Sequence, residues 1–153
     1  MKNKKILTYE EYEFIYERAV RLCLDFIVVK DGRALLTKRA IKPYKGYWSL
    51  PGGMVYRKES INQAAERILV GELGLKPTNK KLLGYIEFPD EVNQNGLQVH
   101  SVSMVFLTAL EDGKIKGSDQ ANEIKYFAPL LEKDLHPIHG KFLKDNWDII
   151  IEK

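Results

Sequence analysis

The chain has a single cysteine, Cys23, among 153 residues, so no internal disulfide forms and no cysteine-built metal centre is available. Cys23 sits in an apolar run, where a buried core thiol is the natural reading. Histidine is also scarce: His100 stands alone and reads as structural or solvent-facing. His136 and His139 lie close together, but no acidic or cysteine cluster accompanies them in sequence, so no metal site is expected there. No apolar run approaches membrane-spanning length. Residues 1–5 are basic, but only Ile6 and Leu7 separate them from TYEEYEFIYER, which is not the apolar centre of a secretion signal. A cytoplasmic protein without a membrane partner is expected. Repeats, low-complexity tracts and flexible linkers are missing as well. The formal net charge of +3 is too small to imply nucleic acid, but it favours small anions.

What is present is an ordinary globular composition, 44% hydrophobic and 29% charged, at a length suited to one domain over residues 1–153. The chain is organised around GGMVYRKESINQAAERILVGELGL, residues 52–75. A glycine pair follows Pro51 and leads into a helix. Ser60 with Gln63 makes a capping box at its start, and Gly74 is placed for a left-handed C-cap. Between them Ile61, Ala64, Ala65, Ile68, Leu69 and Leu73 recur at helical spacing and predict one packed side. Gly71 inside this helix costs about 1 kcal/mol relative to alanine, which leaves chance or close packing to account for it. A glycine turn feeding a charged helix suits phosphate and metal chemistry, because backbone N–H groups and the helix N-terminus attract anions.

This stretch resembles the Nudix box, G-x5-E-x7-R-E-U-x-E-E-x-G-U with U aliphatic. Gly53, Glu59, Arg67, Leu69, Glu72, Gly74 and Leu75 fall on its positions. Ile68 and Gly71 stand where two of the three glutamates after the arginine belong. A reduced box of this kind is similar to that of the GDP-mannose mannosyl hydrolases, and the likeness extends upstream to LDFIV and to LLTKRAIKPYKGYWSLPGG.

The resemblance implies an α/β/α sandwich with a mixed sheet between helices. It implies Mg²⁺ (or Mn²⁺) held by Glu72, a carbonyl of Gly52 and Gln120, and substrate contacts from Asp25 and Arg39. Glu59 and Arg67 would form a structural ion pair, with Gly53 and Gly74 as structural glycines. A homodimer is also implied. Two positions depart from the subgroup: Met54 replaces a second substrate arginine, and Ala121 replaces the general-base histidine. Asp119 and Glu123 flank Ala121 and are the candidate bases, against a reading as solvated loop residues.

Elsewhere, Thr8 with Glu11 predicts a short helix within a residue 1–19 extension, whose apolar side chains suit padding or a dimer contact. Residues 20–29 and 34–38 read as a hairpin across Asp31-Gly32. Further strands are expected over 82–88, 97–110 and 123–127, and helices over 129–135 and 137–151. Asp25 interrupts an apolar strand: it is either an edge or hydrogen-bonded structural residue, or a substrate contact. Arg39 suits a diphosphate by bidentate bonding, while Lys38, Lys42 and Lys45 fit a solvated loop. Tyr44, Tyr47 and Trp48 read as loop and core packing before base stacking. Three functions compete: a Nudix hydrolase of a nucleoside diphosphate linked to another moiety such as a sugar, a non-catalytic nucleotide-binding domain, and an interaction module.

Overall fold

The computed structural model describes residues 7–42, 44–117, 121–128 and 133–152. Its elements run α1 (Tyr9–Tyr16), β1 (Arg21–Lys30), β2 (Arg33–Arg39), β3 (Trp48–Ser49), β4 (Gly52–Met54), α2 (Ile61–Leu73), β5 (Pro77–Val92), β6 (Gln98–Leu110), β7 (Ala121–Phe127) and α3 (Pro137–Ile151). The strands form one mixed sheet in the order β3-β2-β1-β6-β5, with β4 pairing β1 and β7 pairing β2. This is the helix-flanked α/β architecture expected.

Local chemistry accounts for the joints. Asp31 and Gly32 both take positive φ, 51° and 70°, and turn β1 into β2 as a two-residue hairpin. Ser60 and Gln63 cap α2 reciprocally, and Gly74 ends it at φ 76°. The Thr8–Glu11 box caps α1 in the same way.

β1 is the spine. It runs parallel to β6 on one side and antiparallel to β2 and β4. Its alternate residues feed two cores, as the two-residue period of a strand requires. Leu24, Phe26 and Val28 pack with Ala64, Ala65, Ile68, Leu69 and Leu73 of α2. Ile27 faces the other way, into a core with Leu36, Trp48, Leu50 and the α3 residues Leu143 and Ile150. Asp25 shares the parity of Ile27 and so points towards α3.

Several boundaries differ from expectation. β5 extends to Val92, well past the expected end at residue 88, because Pro89 and Asp90 continue the ladder across an irregularity in register instead of opening a loop. β7 begins at Ala121, two residues before the expected start at Glu123. Of the expected helix over 129–135, residues 129–132 lie outside the described residues. Lys133 and Asp134 form a bend, and Leu135 bridges Trp48. Gly71 is not explained by close packing: an added Cβ would meet nothing within 4 Å.

Candidate active site

The site is assembled where β4, α2, the end of β2 and the start of α3 meet. Pairing of β4 with β1 sets Gly52 opposite Asp25. The fit is close enough to require glycine: a Cβ at Gly52 would lie 2.2 Å from Asp25 Oδ1 and 2.5 Å from the Leu24 carbonyl oxygen. Gly53 is constrained from α2, where a Cβ would meet Ile68 Cγ1 at 3.1 Å.

One helical turn beyond Ile68, the Glu72 carboxylate lies beside the backbone N–H of Gly52, which favours its ionised form. Burial pushes its pKa up to about 7; nearby Asp25 adds to the rise, while the Gly52 N–H and Arg39 oppose it. Arg39 is held by backbone bonds to a tight loop: its N–H donates to Tyr47 and its carbonyl accepts from Gly46. Burial lowers the guanidinium from its ordinary value, and the carboxylates of Glu91, Glu72 and Asp25 counter that effect. Glu72, Arg39 and Asp25 thus lie near enough to perturb one another's charge.

The loop between Gly53 and α2 is fixed by Arg67. Its Nη2 donates to the Met54 carbonyl at 2.6 Å and to Glu59 Oε2 at 3.0 Å, and its Nε donates to Glu59 Oε1. Glu59 also accepts from the Tyr56 N–H at 2.8 Å, and the guanidinium stacks 3.8 Å from the Tyr56 ring. The Arg67 hydrogen bond depresses the Glu59 pKa.

Glu123 is placed elsewhere. It stands opposite Lys38 across the β2–β7 ladder and pairs with Lys38 and Lys125 at 4.0 and 3.5 Å. Both lysines lie over Trp48, whereas the neighbouring Ile124 packs with the α2 core. Glu123 therefore projects from the sheet face opposite α2. Asp119 and Gln120 lie outside the described residues.

Three groups, His136, His139 and Glu91, escaped the sequence reading. Asp25 is not on an edge; it is 7% exposed on the central strand, and its Oδ2 lies 3.2 Å from His139 Nε2. His139 Nδ1 accepts from the Leu50 N–H at 3.1 Å, so the proton sits on Nε2 and is donated to Asp25. His136 repeats the pattern. Its Nδ1 caps α3 by accepting from Ile138 and His139 N–H, and its Nε2 faces Glu91 Oε1 at 3.8 Å. Burial holds the His136 pKa below its usual value. The two rings stack 4.4 Å apart, and Tyr44 packs on His136 at 4.1 Å. An acidic pair thus does accompany the histidines, supplied by β1 and β5. The spacing of His139 with Leu143 and Ile150 on one side of α3 was a legible sign of burial, but nothing in the sequence paired Glu91 with His136.

Three carboxylates, Asp25, Glu72 and Glu91, lie near two guanidiniums, Arg39 and Arg21, with imidazoles whose Nδ1 atoms act as acceptors. The surplus is negative, which suits a cation. Among the described residues no three His, Cys, Asp or Glu side chains converge as a ready-made metal cage. A cation here would therefore draw on backbone, water or substrate oxygens as well, as Mg²⁺ commonly does.

Comparison with known proteins agrees with this geometry. The NUDIX domain family model matches residues 20–145. An ADP-ribose pyrophosphatase of Methanocaldococcus jannaschii is 36% identical over 128 residues, covering 81% of this chain and 71% of that protein. The low-salt glycan biosynthesis protein Agl8 of Haloferax volcanii is 30% identical over 136 residues, covering 88% and 86%. The crystal structure of a MutT NUDIX hydrolase from Burkholderia pseudomallei superposes with a TM-score of 0.73 at 30% identity, covering 83% of this chain and 98% of that one. With a Nudix model spanning most of its length and relatives of this similarity, the chain belongs to the Nudix hydrolase family.

Proposed function

We propose that the chain hydrolyses a nucleoside diphosphate joined to a sugar, ADP-ribose being the type of compound, with the help of Mg²⁺ or Mn²⁺. The observation that carries this reading is the convergence of Glu72, Arg39 and Asp25 beside Gly52. The names of the two relatives support it: one is a pyrophosphatase of ADP-ribose, and the other serves glycan biosynthesis, where sugar nucleotides are natural donors.

The residues present fit a divalent cation. Glu72 offers a desolvated carboxylate amid surplus negative charge, which a cation would relieve. Glu72, the Gly52 carbonyl and Gln120 would hold it. When bound, it supplies Lewis-acid polarisation of a phosphoryl oxygen. Arg39 binds the diphosphate and stabilises charge that develops on it. Asp25 accepts a hydrogen bond from a substrate hydroxyl. The proton of the attacking water passes to a carboxylate, for which Asp119 and Glu123 are the candidates from the sequence. The lysine partners of Glu123 favour Asp119 of the two.

The test is a panel of ADP-ribose, sugar nucleotides and nucleoside triphosphates with Mg²⁺, run beside Glu72→Gln. The expected result is turnover of a diphosphate-linked sugar that falls by roughly a hundredfold or more in the variant. Full activity in Glu72→Gln sinks the cation assignment. Turnover in ¹⁸O-water then locates the attack, by the label's appearance on phosphate or on sugar. A second reading, binding without turnover, is favoured by Ile68 and Gly71 in place of two carboxylates. It predicts a nucleotide-induced thermal shift with no product from any compound in the panel.

A further inference from the structure

We propose that His139 is a positioning residue that orients Asp25 for substrate and locks it to the glycine turn. The proposal rests on the reading of Asp25 as a substrate contact. Both side chains are buried, and their partners come from three separate parts of the chain. The Leu50 N–H consumes the Nδ1 lone pair of His139, which leaves Nε2–H as the ring's only polar hydrogen, aimed at Asp25 Oδ2. With Oδ2 drawn towards α3, Oδ1 is left lying over the Cα of Gly52, at the glycine turn. The aspartate therefore has one oxygen committed to the scaffold and one directed at the site.

The start of α3 is itself stitched to this region. The Trp48 N–H donates to the Asp134 carbonyl, and the His136 N–H donates to the Trp48 carbonyl, both at 2.7 Å. The imidazole is thus delivered by a framework rigid enough to set a carboxylate's angle. A buried carboxylate without such a donor would take up protons or rotate to find another partner. Neither the Nudix box nor the relatives' names assign His139 or α3 any role.

The experiment combines kinetics with ¹⁵N NMR on the full chain. In wild type the His139 ring should give the pattern of a neutral imidazole protonated at Nε2, and Asp25→Asn should shift that resonance. A ring protonated at Nδ1 overturns the proposal without reference to any substrate.

With ADP-ribose and Mg²⁺, Asp25→Asn is expected to raise KM about tenfold or more, and His139→Gln and His139→Ala about tenfold, with kcat little changed. The double variant Asp25→Asn/His139→Gln should be no worse than Asp25→Asn alone, because His139 acts through Asp25. If the His139 effect persists in full on the Asp25→Asn background, or if His139 variants that melt like wild type keep the wild-type KM, the positioning role is wrong. An unchanged KM in Asp25→Asn instead sinks the substrate role of Asp25, and failure of wild type to bind or turn over ADP-ribose sinks that choice of substrate. In both cases the NMR result still decides the tautomer.

Discussion

Asp25 Oδ1 lies 2.2 Å from the point where a side chain on Gly52 would begin, so one carboxylate oxygen occupies the space that glycine leaves empty. The Leu24 carbonyl closes the same space at 2.5 Å. Because the carboxylate is tied to His139 and the carbonyl belongs to the central strand, neither yields cheaply. Gly52→Ala is expected to destabilise the protein by about 1–3 kcal/mol, the usual range for overpacking. It should also remove activity, because relief of the clash displaces Asp25 from the site. Urea melts and the ADP-ribose assay check both; a variant with wild-type stability and activity contradicts the geometry.

Glu72 gives a pH signature. Its folded-state pKa of about 7 lies above its ordinary 4.5. Between those values the folded chain holds a proton that the unfolded chain has released, so stability falls as pH rises from about 4.5 to about 7 and levels off beyond. The loss is on the order of 3 kcal/mol. Without divalent cations, Glu72→Gln should match wild type near pH 4.5 and exceed it near pH 8. Mg²⁺ at pH 8 should raise the wild-type melting temperature and leave the variant's almost unmoved. A gap between the two proteins that does not change with pH argues that Glu72 is not desolvated.

Glu59 titrates in the opposite sense. Arg67 holds its pKa below the ordinary carboxylate value, so the pair's contribution is present above about 4.5 and is lost as pH falls through the depressed value. Arg67→Ala strands a half-buried carboxylate and removes the tie to the Met54 carbonyl, at an expected cost of about 2–3 kcal/mol at pH 7. Arg67→Lys should recover little, since an ammonium cannot reproduce the fork. The penalty should shrink on acidification, which melting of the three proteins between pH 3 and pH 7 will show.

Much of this was legible from local rules and some was not. The caps at Ser60, Gln63 and Gly74 and the turn at Asp31-Gly32 are contests within four or five residues, and the structure keeps each. Glu72 falls on a box position, and Asp25 and Arg39 lie in the upstream stretches that carry the resemblance. The histidine–carboxylate pairs were invisible because the 114 residues separating Asp25 from His139 are closed only by the packing of α3 on β1. Glu91 was hidden by Pro89, which reads as a loop opener; the long β5 carries the ladder past it with a shift in register.

The residue 1–19 extension makes a prediction about assembly. None of the residues of α1 is buried, and Phe14 is 64% exposed, beside exposed Tyr9 and Ile15. If this face meets a second copy, as the subgroup resemblance implies, sedimentation at micromolar concentration should give a dimer, and Phe14→Ser should shift the equilibrium towards monomer by roughly tenfold or more. A wild-type monomer at that concentration removes the homodimer.

The two missing box carboxylates are physically unlike, and mutation should separate them. Ile68 is 4% exposed, packed in the α2 core with its Cγ1 near Gly53, so Ile68→Glu buries a charge in place of a methyl-rich side chain. The expected cost is about 3 kcal/mol or more, and much of the protein should be recovered unfolded. Gly71 lies exposed on the same helix with open space beyond its Cα. Gly71→Ala should stabilise by up to about 1 kcal/mol through helix propensity alone. Gly71→Glu should fold equally well and place a second carboxylate one residue from Glu72. Its added charge is expected to tighten Mg²⁺ binding at least roughly several-fold. Titration of Mg²⁺ by calorimetry against wild type, Gly71→Ala and Gly71→Glu isolates the charge from the propensity effect. If Gly71→Glu binds Mg²⁺ no better than Gly71→Ala, the cation does not sit at this end of α2.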